Sequence, residues 1–99
     1  MLLGTRLHTA GNLTRYIVDY TDWLQEGATL APLSGTVTLA PQAGVTDVVI
    51  TAVTITPSNQ LHFFMTATVV NETFTLDVQV TDSRGEIKND TLAFRVIPA

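Results

Sequence analysis

The chain has 99 residues, 45% of them hydrophobic, with a formal net charge of -4 and a pI near 4.7. That length makes one small domain with one core, and the hydrophobic share is too high for a disordered segment. The acidic balance, with Arg6, Arg15, Arg84, Lys88 and Arg95 scattered singly, argues against a nucleic-acid module, and the absence of cysteine excludes disulfides, a thiolate nucleophile and a Cys-based zinc site.

Threonine is over-represented, 17 residues against 3 serines. With valine it supplies β-branched side chains that suit a pleated surface better than a helix. An all-β protein is expected. The opening residues MLLGTRLHTAGN carry too short an apolar run for a signal peptide, and no window approaches the roughly 18 apolar residues of a membrane span.

In chain order, residues 1–11 read as an N-terminal arm or an edge strand, and 12–99 as the domain proper. Asn12 to Tyr20 reads as a strand with Tyr16, Val18 and Tyr20 on one face. Leu33 to Leu39 gives a shorter strand, stopped by Pro41 and Gly44. Asp47 to Thr56 is rich in Val, Ile and Thr, and Thr56-Pro57-Ser58-Asn59 turns it back. The next strand, Leu61 to Val69, puts Leu61, Phe63, Met65, Ala67 and Val69 on one face and His62 and Phe64 on the other. Phe74 to Thr81 alternates strictly, with Phe74, Leu76, Val78 and Val80 inward. Asp82-Ser83-Arg84-Gly85 supplies turn chemistry, and Thr91 to Val96 returns with Leu92, Phe94 and Val96 inward. Six strands with closely spaced turns predict an antiparallel sandwich, and the first residues can add a seventh.

The stretch YIVDYTDWLQEG, Tyr16 to Gly27, holds both tyrosines and the single tryptophan. It reads as architecture: tyrosines facing inward, Trp23 across the open end of the sandwich, and Asp22 capping a short turn that Gly27 terminates. Asp19, Asp22 and Glu26 lack EF-hand spacing for calcium. Ser34, Ser58 and Ser83 lack a nucleophile elbow, and neither His8 nor His62 has a catalytic partner in sequence. The sequons at Asn12, Asn71 and Asn89 read as turn asparagines followed by strand threonines. No enzyme, metal or cofactor is expected.

Two segments resemble known families. Tyr16-Ile17-Val18-Asp19-Tyr20-Thr21-Asp22-Trp23-Leu24, followed by Gly27 and Leu30, resembles a pattern in small virion-associated proteins of tailed bacteriophages. Thr73 through Thr81-Asp82-Ser83-Arg84-Gly85-Glu86 to Phe94-Arg95-Val96 looks like the final hairpin of immunoglobulin-like domains. The resemblance implies an immunoglobulin-like β-sandwich of about six to eight strands. It also implies a structural part of a virion, made in the host cytoplasm: capsid decoration, head–tail collar or fibre. Its expected partners are other virion proteins and further copies of itself, with neither nucleic acid nor membrane. A carbohydrate-binding or host-attachment module, with Trp23 or Tyr20 as platform, is the alternative. The candidate contact residues are His62, Phe64 and Ile97 on outward faces, with Leu2, Leu3 and Leu7 of the first segment. If that segment lies along a neighbour, deleting residues 1–11 should weaken assembly and leave the melting curve unchanged.

Overall fold

The computed structural model describes residues 2–39 and 47–99, in which the chain forms seven strands. They are β1 (Leu2–Thr9), β2 (Thr14–Asp19), β3 (Thr36–Leu39), β4 (Val49–Ile55), β5 (Gln60–Thr66), β6 (Thr73–Thr81) and β7 (Ile87–Ile97). Four pair in the order β1-β7-β6-β3 and three in the order β2-β5-β4, giving an all-β sandwich. The stop assigned to Pro41 and Gly44 lies outside the described residues.

The two-residue alternation decides what fills the interior. Leu61, Phe63 and Met65 of β5 meet Phe74, Leu76, Val78 and Val80 of β6 and Leu92, Phe94 and Val96 of β7, all buried. Phe74 and Phe94 stack with ring centroids 5.5 Å apart, and Tyr16 meets the Phe94 ring edge-on at 5.0 Å. Val18 and Tyr20 are buried, and Tyr16 and Trp23 pack half-buried against the same cluster.

Pairing is antiparallel throughout except between β1 and β7, which run parallel. No connection links these two strands directly, so the short-loop constraint that makes neighbours antiparallel does not apply to them. β1 lies as the edge strand of the larger sheet, with Leu7 opposite Arg95 and Thr9 opposite Ile97.

Strand ends shift by one to three residues, β3 starting at Thr36 rather than Leu33, and three differences from the sequence reading have a visible cause. β7 starts at Ile87 rather than Thr91, because Asn89 and Asp90 pair with Gln79 and Val78 instead of turning. The Gln79 side-chain amide donates to Asn89 Oδ1 at 2.8 Å, so polar residues keep the ladder going. β5 ends at Thr66, leaving Val69 in the connection and partly exposed. Asp22 does not cap the turn after β2. Asp19 does, accepting from the Thr21 amide at 2.9 Å and the Thr21 hydroxyl at 2.6 Å, while Trp23 and Leu24 amides donate to the Tyr20 carbonyl.

Asp82 orders the last hairpin as expected of a turn aspartate. Its Oδ1 accepts from the amides of Arg84 at 2.9 Å and Glu86 at 2.8 Å, and Gly85 adopts the left-handed φ of 86° that lets the chain reverse. The long β2–β3 connection is stitched to this hairpin. The Ala31 amide donates to the Thr81 carbonyl, the Ser83 amide to the Thr29 carbonyl, and Arg84 to Gln25 and the Glu26 carbonyl. Gly35 completes the fit: a Cβ there would sit 2.7 Å from Leu61 Cδ1.

Candidate functional site

Among the described side chains of β1, His8 is the buried one. His8 is the inward residue opposite Val96 and is fully buried. Its Nε2 lies 3.0 Å from the Asn12 carbonyl, which can only accept, so Nε2 carries the proton. Nδ1 is then an acceptor, and the Tyr16 hydroxyl donates to it at 2.7 Å. A neutral imidazole thus ties β1 to β2 across the gap between the sheets.

Burial, partly offset by the Asn12 carbonyl, holds the His8 pKa below its ordinary 6.5. Below pH 6.5 the unfolded chain therefore binds more protons than the folded one, and stability falls as pH falls through that window. The melting temperature should drop between pH 7.5 and 5, and His8→Gln should flatten that slope. Asp19 titrates lower still, because hydrogen bonds from Thr21 and then Gln60 hold it below 3.8, so it does not overlap the effect. Melting curves by circular dichroism over that pH range check the expectation.

Beside this contact the flank between β1 and β2 opens into a cleft lined by Arg6, Ile17, Val18, Asp19, Tyr20, Asp22, Trp23, Lys88 and Asp90. Tyr20 and Trp23 meet edge-on, 6.1 Å between centroids. Asp90 is an inward residue of β7 and is buried, with Lys88 Nζ 3.5 Å from its Oδ1. Burial, and then the charge of Asp90, push the Tyr20 phenol well above its ordinary range. The aromatic cluster is therefore core on one side and cleft wall on the other.

The outer face of β2-β5-β4 presents Arg15, Ile17 and Asp19 on β2, Gln60, His62 and Phe64 on β5, and Val49, Thr51 and Thr54 on β4. Ile17 is 40% and Val49 53% exposed, and Phe64 lies half-buried between Arg15 and Thr51. Leu7 and Ile97 belong to the outer face of the other sheet, so the sequence candidates do not form one patch. The side chains of Leu2 and Leu3 lie outside the described residues. Ile17 and Val49 were missed because their neighbours across the sheet, not their own spacing, make them part of a surface. The consecutive Phe63-Phe64 was the legible signal, since one of two adjacent strand residues must face out.

The four sheet edges differ. β1 carries a bulge between Leu2 and Thr5, where two residues oppose Leu92 of β7, with Gly4 at φ 97°. β4 carries another between Thr51 and Thr54, where Ala52 and Val53 oppose Phe63 of β5, with Ala52 at φ 53°. β3 is described over four residues, Thr36–Leu39. β2 runs six residues against β5 without a shift.

Outer faces that carry exposed apolar side chains, and open strand edges, are what a part built into an assembly presents. The family model described as podophage GP4 fiber-tail adaptor protein gp77 matches residues 9–95. The chain belongs to this family. The gp77-family match makes it a structural component of a phage virion, and it spans β2 to β6 and most of β7, with only the end of β1. A comparison with curated proteins found no match.

Proposed function

We propose that the protein is a non-enzymatic adaptor that joins a fibre to the tail of a podophage particle, acting by association alone. The match over residues 9–95 carries this reading. An adaptor needs two contact surfaces on one rigid body, and a two-layer sandwich has two outer faces fixed relative to each other by its core. The β2-β5-β4 face, with Ile17, His62, Phe64 and Val49, is the more apolar candidate, and the opposite face carries Leu7 and Ile97. Assembly would take place in the bacterial cytoplasm. A sugar platform is less well supported, since Tyr20 is buried and Trp23 packs half-buried against the core.

The test is co-purification of the tagged chain with the fibre and tail proteins of the phage that encodes it. Both are expected to bind, and Phe64→Glu is expected to weaken one of the two contacts about tenfold while leaving the melting temperature within a few degrees. A chain that binds neither protein overturns the reading.

A further inference from the structure

Edge strands of soluble proteins are protected against unwanted pairing by bulges, shortness or charge. Where the first two are missing and the charges are of opposite sign, as with Arg15 and Asp19 of β2, the charge attracts a reversed copy instead of repelling it. Among the described residues, β1 and β4 are bulged edges and β3 covers four residues. β2 alone is six residues long and in uninterrupted register.

The side chains on its outer face make a pattern that reads the same on a reversed copy of itself. Arg15, Ile17 and Asp19 are all exposed and alternate along one face. In an antiparallel pair, directly opposed residues lie on the same face. If β2 meets β2 of a second copy about a two-fold axis at Ile17, then Ile17 opposes Ile17. Arg15 then opposes Asp19 of the second copy, twice by symmetry. Moving the axis to Tyr16 or Val18 puts a charge opposite isoleucine instead, so the charges select one register. On the inner face, Tyr16 opposes Val18 of the second copy, an aromatic and β-branched pair of the kind that stabilises strand pairing.

We propose that two copies associate through the β2 edges in this register. The two three-stranded sheets merge into one of six strands, β4-β5-β2 continued by the second copy's strands in reverse order. Such a contact is isologous and closes after two copies, so it makes a dimer rather than a fibre. The cleft of Tyr20, Trp23 and Asp90 opens on the same flank and lies against the second copy. The proposal goes beyond the adaptor reading and does not depend on it.

Analytical ultracentrifugation of the full chain from micromolar to millimolar concentration tests it. The expected result is a species of twice 10.7 kDa. Arg15→Glu and Asp19→Arg should each raise the dimer dissociation constant about tenfold or more, because each sets like charges opposite one another at both symmetric positions. An equimolar mixture of the two variants should restore association as a heterodimer, since every opposed pair is again of unlike charge. Asp19→Arg also removes the bonds to Thr21, so its folding is checked by circular dichroism. If it fails to fold, Ile17→Lys takes its place as a second single variant and should likewise weaken the dimer. A wild-type chain that stays monomeric at millimolar concentration overturns the proposal. So does a dimer indifferent to Arg15→Glu, or folded variants whose mixture does not associate.

Discussion

Deleting residues 1–9 is expected to lower stability by roughly 3–5 kcal/mol, a large part of what a domain of this size possesses. A shift of that size lowers the melting temperature by about 15–30 °C. β1 pairs with β7 from Leu2 to Thr9, so its removal strips one side of β7 of main-chain partners. It also takes away His8, leaving the Tyr16 hydroxyl and the Asn12 carbonyl without their bonds at 2.7 and 3.0 Å. Half-buried Tyr16 then loses the ring that lies 5.9 Å from its own. Each orphaned polar group costs about 1–3 kcal/mol if it stays dry. Differential scanning calorimetry of the truncated and full chains decides the matter. A melting curve unchanged by the deletion would mean that the first residues are an arm for a neighbour, as the sequence by itself suggested.

Phe94→Ala should cost about 3–5 kcal/mol, the usual range for emptying a large aromatic site that cannot collapse. Phe94 is almost fully buried and stands where both sheets meet. It stacks on Phe74 in its own sheet and receives Tyr16 edge-on from the other. The loss therefore removes contacts within a layer and between layers together. Urea denaturation of the variant should show a lowered midpoint with a similar slope, since the surface exposed on unfolding changes little. The comparison with Phe64→Ala is informative. Phe64 is the same residue type on the outer face of β5, half-buried, and its truncation should cost no more than about 1 kcal/mol.

The parts of the fold that were legible share one property: their chemistry alternates locally. Phe74, Leu76, Val78 and Val80 announce β6 because an apolar residue at every second position has one solution, a strand with a buried face. The same rhythm in Leu61, Phe63 and Met65 exposes Phe64 and His62 on the other side of β5. The inward tyrosines and the turn at Asp82 follow from similarly local rules.

β4 shows where local rules stop. Its inward residues are Ile50, Val53 and Ile55, a sequence of steps that strict alternation forbids. The bulge at Ala52 adds one residue on this strand alone and resets the faces, and only the partner strand β5 reveals it. Asp90 was hidden for a related reason. It lies just before the alternation of Thr91 to Val96, where an aspartate reads as turn chemistry, yet β7 begins at Ile87 and turns Asp90 inward beside Lys88.

The amino-acid order by itself determined the β class, the inward faces of β2, β5, β6 and β7, and the hairpin closed by Gly85, because those depend on neighbours within a few residues. Only the tertiary structure decided that β1 runs parallel to β7, that His8 is buried against Tyr16, and that β2 is an edge strand in unbroken register with β5. Each of these joins segments far apart in the chain, and a strand becomes an edge only through which strands pair elsewhere. Spacing along one chain carries no record of that order.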